Sequence, residues 1–106
     1  MPRQIPLDAT SPRFRITLDL EGVEFSLRFY WLEVAHGWYV DALRPDGTPV
    51  GRGYRIEPSG VLPLPTGVDI MPPGVFTATG PSDYQRDDLG TELQVFYLTA
   101  AEVDGG

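Results

Sequence analysis

Few residues in this chain are of the kind that carry chemistry, and their spacing argues against each reaction in turn. His36 is the only histidine and stands beside Gly37, where the surrounding alternation breaks. Catalysis through it would need a nucleophile and an orienting acid, and none of Ser11, Ser26, Ser59 or Ser82 sits in a nucleophile-elbow spacing. Asp83, Asp87 and Asp88 form the densest acidic cluster. They lack the alternating oxygen ligands and central glycine of a calcium loop, so they read as a solvated acidic loop and no metal is expected. Glycoside hydrolysis needs two carboxylates facing each other across a cleft, for which a chain of 106 residues has little room. No glycine-rich phosphate loop precedes a helix. No cofactor is therefore expected, and the chain does not read as an enzyme. Tyr30, Trp31, Trp38, Tyr39, Phe96 and Tyr97 suit either of two roles, a stacking platform for sugars or the filling of a small core. The core is the preferred reading, because large aromatics dominate small cores. A small carbohydrate-binding β-module remains the alternative function.

Composition narrows the classes further. The absence of cysteine removes disulfides, thiolate zinc sites and cysteine nucleophiles together. A net charge of −7 disfavours general nucleic-acid binding, whose affinity comes from neutralising phosphates with cations. All eight basic residues are arginine. With 42% hydrophobic residues and charge spread rather than blocked, the chain should fold despite its 11 prolines and 12 glycines. No apolar run reaches the length of a membrane span, and MPRQIPLDATSPRF is too broken by proline for a secretory signal. A single soluble intracellular domain without membrane contact is the expectation.

The elements that must position these residues are strands. From Arg13 to Val50, three alternating runs with turn chemistry between them predict an antiparallel meander. Phe14, Ile16, Leu18 and Leu20 share one face of the first run. Val23, Phe25, Leu27, Phe29 and Trp31 share a face of the second, and Trp38, Val40 and Ala42 a face of the third. A two-residue loop at Glu21 and Gly22 would oppose Asp19 to Glu24 and Arg15 to Arg28, both like-charge pairs. A four-residue loop, Glu21 to Glu24, avoids them and pairs Leu20 with Phe25, so it is the preferred register.

Arg44-Pro45-Asp46-Gly47 predicts a reversal. Pro49, Gly51 and Gly53 mark the next strand, about Val50 to Glu57, as an edge or a bulge. Residues 58–74 are dominated by proline and glycine and read as a crossover held by Val61, Leu62, Leu64, Val68, Ile70 and Met71. Residues 74–79 predict a short strand, and 82–90 a helical turn ending at Gly90. Residues 91–99 form the last strand. The whole is an all-β fold, a small antiparallel β-barrel or β-sandwich of five to seven strands. Residues 1–12 are an extended N-terminal arm, frayed or docked through Ile5 and Leu7. Residues 13–100 make the single β-domain, and 101–106 a flexible C-terminal tail.

Alternation also leaves apolar residues on faces that should be wet. Tyr30 and Leu32 lie opposite the Phe25 to Trp31 face, and Phe96 and Leu98 lie opposite Leu93, Val95 and Tyr97. Together these four are the expected protein interface.

Ile5-Pro6-Leu7, the Phe14 to Leu18 and Leu27 to Trp31 strands, Trp38 with Asp41, the Asp46-Gly47 turn, and Asp88-Leu89-Gly90 before the last aromatic strand follow one another in a characteristic order and spacing. In that order and spacing the chain resembles the small baseplate plug family of contractile-tailed bacteriophages. The sequence departs from that pattern at Leu20-Glu21-Gly22, a residue longer, and in the proline-rich middle. The resemblance implies a non-catalytic structural protein of the virion, made in the host cytoplasm. It would sit in the tail baseplate against the hub and tail tube proteins, with self-association as a further contact.

Overall fold

The computed structural model describes residues 3–7, 10–62 and 73–105. Its strands are β1 (Arg3–Gln4), β2 (Arg13–Leu20), β3 (Val23–Leu32), β4 (Gly37–Leu43), β5 (Pro49–Arg55), β6 (Ser59–Val61), β7 (Val75–Thr79) and β8 (Gln94–Leu98). The meander forms one antiparallel sheet in the order β2-β3-β4-β5. The remaining strands form a second, β1-β8-β7-β6. The inward residues of the meander, among them Leu18, Phe25, Phe29, Trp38 and Val40, bury themselves against Phe76, Ala78, Val95 and Tyr97 of the second sheet. Phe25 meets Phe76 edge-on across the core, with ring centroids 6.0 Å apart. The extents of 34, 33 and 19 Å give a shortest axis that suits two stacked layers. The fold is thus a β-sandwich, and the barrel alternative is set aside because the two sheets share no ladder.

Among the described residues eight strands stand beside the expected five to seven, the additional ones being short segments that alternation cannot reveal. β1 belongs to the N-terminal arm. Arg3 pairs with Tyr97 and Gln4 with Phe96, after which Ile5 donates its N–H to Val95 O at 2.8 Å and is buried. β6 belongs to the proline-rich stretch, where Leu62 is buried and Val61 is 62% exposed. Leu64, Val68, Ile70 and Met71, expected to hold that crossover, lie outside the described residues. The expected turn before the last strand is a 3-10 turn at Arg86–Asp88. A short helix, α1 (Ala100–Gly105), follows β8, so the stretch expected as a tail from residue 101 is helical through 105. The local cause is a reciprocal cap: Thr99 N–H donates to Glu102 Oε1 at 2.8 Å and Glu102 N–H to Thr99 Oγ1 at 3.2 Å.

The first hairpin corrects the expected register. Leu20 pairs with Val23 and Leu18 with Phe25 around the two-residue turn Glu21-Gly22, so Asp19 does stand opposite Glu24 and Arg15 opposite Arg28. Both turn residues are left-handed, with φ of 52° at Glu21 and 80° at Gly22. That is the type I′ conformation, whose twist matches the strands it joins. The like charges face outward, where solvent screens them and the arginines find other partners. Arg15 donates to Ser26 Oγ at 3.2 Å and to Pro45 O at 2.9 Å, while Arg28 pairs with Asp41. Turn geometry therefore outweighs two weak repulsions.

Glu21 also ties the hairpin to the other sheet, since its carboxylate accepts hydrogen bonds from the Tyr97 hydroxyl and from Ala100 N–H. The Tyr97 hydroxyl in turn accepts from Gly74 N–H at 2.8 Å. At Gly74 a Cβ would lie 1.9 Å from Leu98 O and 2.7 Å from that hydroxyl, so only glycine fits. Burial, reinforced by the Glu21 carboxylate, pushes the Tyr97 phenol from 10.0 up to about 12. The raised value makes the folded state hold its proton longer than the unfolded one. The associated stability is complete below the unfolded value and is lost as pH climbs from 10.0 to about 12. Thermal melts across that range should fall less steeply for Tyr97→Phe than for the wild type. A slope unchanged by the substitution would show that this phenol does not govern alkaline unfolding.

Candidate functional site

Register places the outward residues of the meander in rows across its four strands. One row is Arg13, Tyr30, Tyr39 and Arg55, and the next is Arg15, Arg28 and Asp41. Further along the strands, past Thr17 and Ser26, the face ends in Asp19 and Glu24. It is therefore cationic and aromatic at one end and acidic at the other. Tyr30 and Tyr39 stack with centroids 6.0 Å apart, and the Arg55 guanidinium lies over Tyr39 at 5.8 Å.

Asp41 anchors the cationic end. Its Oδ2 accepts from Arg28 Nη2 at 2.7 Å and Nε at 3.2 Å, and its Oδ1 accepts from the Tyr30 hydroxyl at 3.0 Å and Gly53 N–H at 2.8 Å. The Gly53 donor is available because β5 bulges at the sheet edge. The register steps from Val40–Tyr54 to Ala42–Gly51, leaving Arg52 and Gly53 opposite Asp41 alone. Gly53 has φ of 79°, a left-handed conformation that suits glycine. Burial alone would raise the Asp41 carboxyl, but the hydrogen bonds from Arg28, Gly53 and Tyr30 outweigh it and hold the group below its usual range. Tyr30 is moved upward, first by burial and then by its bond to that carboxylate. A polar recess of about 280 Å³ opens here, lined by Arg13, Arg28, Tyr30 and Asp41.

On the opposite side of the sandwich, the outer face of the second sheet carries an apolar group. Phe96 stands in register with Thr77 and Gln4, Leu98 with Val75, and Thr77 with the exposed Val61. Phe96, Leu98 and Val75 are half-buried.

The four residues expected to form one interface are thus not brought together. Tyr30 and Leu32 belong to β3 and face outward from the meander, whereas Phe96 and Leu98 belong to β8 and face outward from the other sheet, with the core between. Leu32 is 39% exposed, while the Tyr30 hydroxyl is committed to Asp41. The aromatic residues divide similarly. Trp38 and Tyr97 are buried in the core, Trp31 packs edge-on against Trp38 at its margin, and only Tyr30 and Tyr39 share an outer face. A single sugar-stacking platform is not assembled from the six.

The residues weighed for chemistry have structural roles or solvent around them. His36 lies in a turn with φ of 49°, its ring edge-on to Trp31 at 5.0 Å. Asp88 accepts from Gln85 N–H at 2.8 Å and so shapes the 3-10 turn, and Asp87 faces Arg86 at 3.7 Å. Among the described residues no group of three or more acidic, histidine or cysteine side chains converges as a metal site would. No described helix is long and apolar enough to cross a membrane. Tyr84, which sequence reading passes over, proves central: its buried hydroxyl accepts from Trp38 N–H at 3.0 Å and donates to Ile56 O at 2.9 Å. A lone aromatic in a polar stretch was the only signal for it.

What the geometry offers, then, is two differently equipped outer faces on a two-sheet sandwich. No curated protein matches the sequence. Residues 3–100 match the family described as "Cyanophage baseplate Pam3 plug gp18". With every described strand of the sandwich inside that match, the chain belongs to this family of phage baseplate plugs.

Proposed function

We propose that the chain acts as a non-catalytic structural plug in the baseplate of a contractile phage tail, in contact with the hub and the tail tube. The family match over residues 3–100 carries this reading. The two outer faces support it, since a sandwich bearing apolar side chains on both sides suits a component held between neighbours. Phe96 and Leu98 are the proposed anchors on one face and Tyr30 and Leu32 on the other. Half-buried aromatic rings lose little side-chain freedom on docking, which favours Phe96 as the principal anchor.

Co-expression of the tagged chain with the tail proteins of its own phage tests the reading. The wild type should capture hub or tube protein. Phe96→Asp should stay folded and lose that capture, because it places an unpaired charge in the contact. A folded wild-type chain that captures no tail protein would contradict the proposed function. A Phe96→Asp chain that folds and captures normally would exclude this residue as an anchor.

A further inference from the structure

The cationic rows of the meander face are out of keeping with an acidic chain. Arg13, Arg15, Arg28 and Arg55 stand in two adjacent rows with Asp41 as the only carboxylate, in a protein of net charge −7. Three of these arginines are committed: Arg28 to Asp41, Arg15 to Ser26 and Pro45 O, and Arg55 to Glu57 at 3.1 Å and to the carbonyls of Ala35 and His36. Arg13 is different. It is exposed at the lip of the recess, and its guanidinium has no ion pair or hydrogen bond among the described residues. Beside it Arg28 spends Nε and Nη2 on Asp41 and keeps Nη1 uncommitted.

We propose that this face docks an acidic polypeptide segment of a partner protein, seating one of its carboxylates in the recess between Arg13 and Arg28. A planar guanidinium pairs with a carboxylate through two parallel hydrogen bonds, and Arg13 has that fork free. Tyr30 and Tyr39 floor the adjoining row with a stacked aromatic surface on which the segment's backbone and methylenes can lie. The direction of the charge gradient favours a short polypeptide over nucleic acid. A long polyanion lying along the strands would run from Arg13 onto Asp19 and Glu24, whereas a segment crossing the strands at the basic rows avoids them.

The inference rests on reading the chain as an assembly component, and the two fail separately. Tail capture without acidic-peptide binding sinks this inference alone. The test is fluorescence anisotropy at low ionic strength with the full chain and a labelled ten-residue polyglutamate peptide. A polyglutamine peptide and a ten-nucleotide thymidine strand serve as comparison probes. Saturable binding of polyglutamate is expected, weakened about tenfold by Arg13→Glu and less by Arg13→Gln. Arg3→Glu, the same charge change on the other sheet, should leave it nearly unchanged. Equal weakening by Arg13→Glu and Arg3→Glu would reduce the effect to bulk charge and overturn the proposal. So would absence of saturable binding, or tighter binding of the thymidine strand. Sedimentation showing a dimer that Arg13→Glu dissolves would assign the face to a second copy instead.

Discussion

Val95→Asp should unfold the domain. The Val95 side chain is 1% exposed, on the inward face of β8, and Ala78 stands beside it on β7. A carboxylate there has no cation within the core to answer it, and burying it unpaired costs several kcal/mol against a total stability of roughly 5 to 15 kcal/mol. Circular dichroism should show loss of the β signal, and near-ultraviolet ellipticity from the buried tryptophan should vanish. The adjacent Phe96→Asp points outward and should retain both signals. If the two variants unfold alike, β8 is not one-sided and its outer face is no docking surface. If Val95→Asp folds normally, the two-sheet core is wrong.

Trp38→Ala should be nearly as damaging, because Trp38 is fully buried where three parts of the chain meet. Its ring packs edge-on against Phe14 at 6.0 Å and Trp31 at 5.9 Å, and its indole N–H donates to Arg86 O at 3.0 Å. Its backbone also donates to Tyr84 and accepts from Ile56 N–H. Truncation leaves a large cavity and an unpartnered carbonyl, for about 3 to 5 kcal/mol. For a domain of this size the melting temperature should fall by about 12 °C or more. A fall of only a few degrees would mean that the 3-10 segment does not pack under the meander as described.

How much of this was legible in the sequence depends on the range over which the signal acts. Alternation marked β2, β3 and β4 and their inward faces, because a half-buried strand repeats every two residues. Pro49, Gly51 and Gly53 likewise mark β5 as an edge or a bulge, and it is both. Cross-strand charge alone points to the wrong hairpin register, because strand twist favours the two-residue turn that Glu21-Gly22 adopts. Alternation did assign Tyr30, Leu32, Phe96 and Leu98 to the faces opposite the core. It is silent on which strands share a sheet, and so cannot separate the pair on β3 from the pair on β8 in the other sheet. The Asp41 cluster was beyond reach for a similar reason. Arg28 and Gly53 lie 13 and 12 residues away, and only register and bulge bring them onto the same carboxylate.

The central claim is that this chain is a working part of a phage baseplate, and it is tested most directly on purified tails. Cryo-electron microscopy should be compared for tails from the wild-type phage and from a phage deleted for this chain, with mass spectrometry of the same preparations. The account predicts that the chain is present in wild-type tails and that a sandwich-sized density within the baseplate is lost on deletion. Tails that lack the chain, with baseplates identical in the two phages, would contradict it.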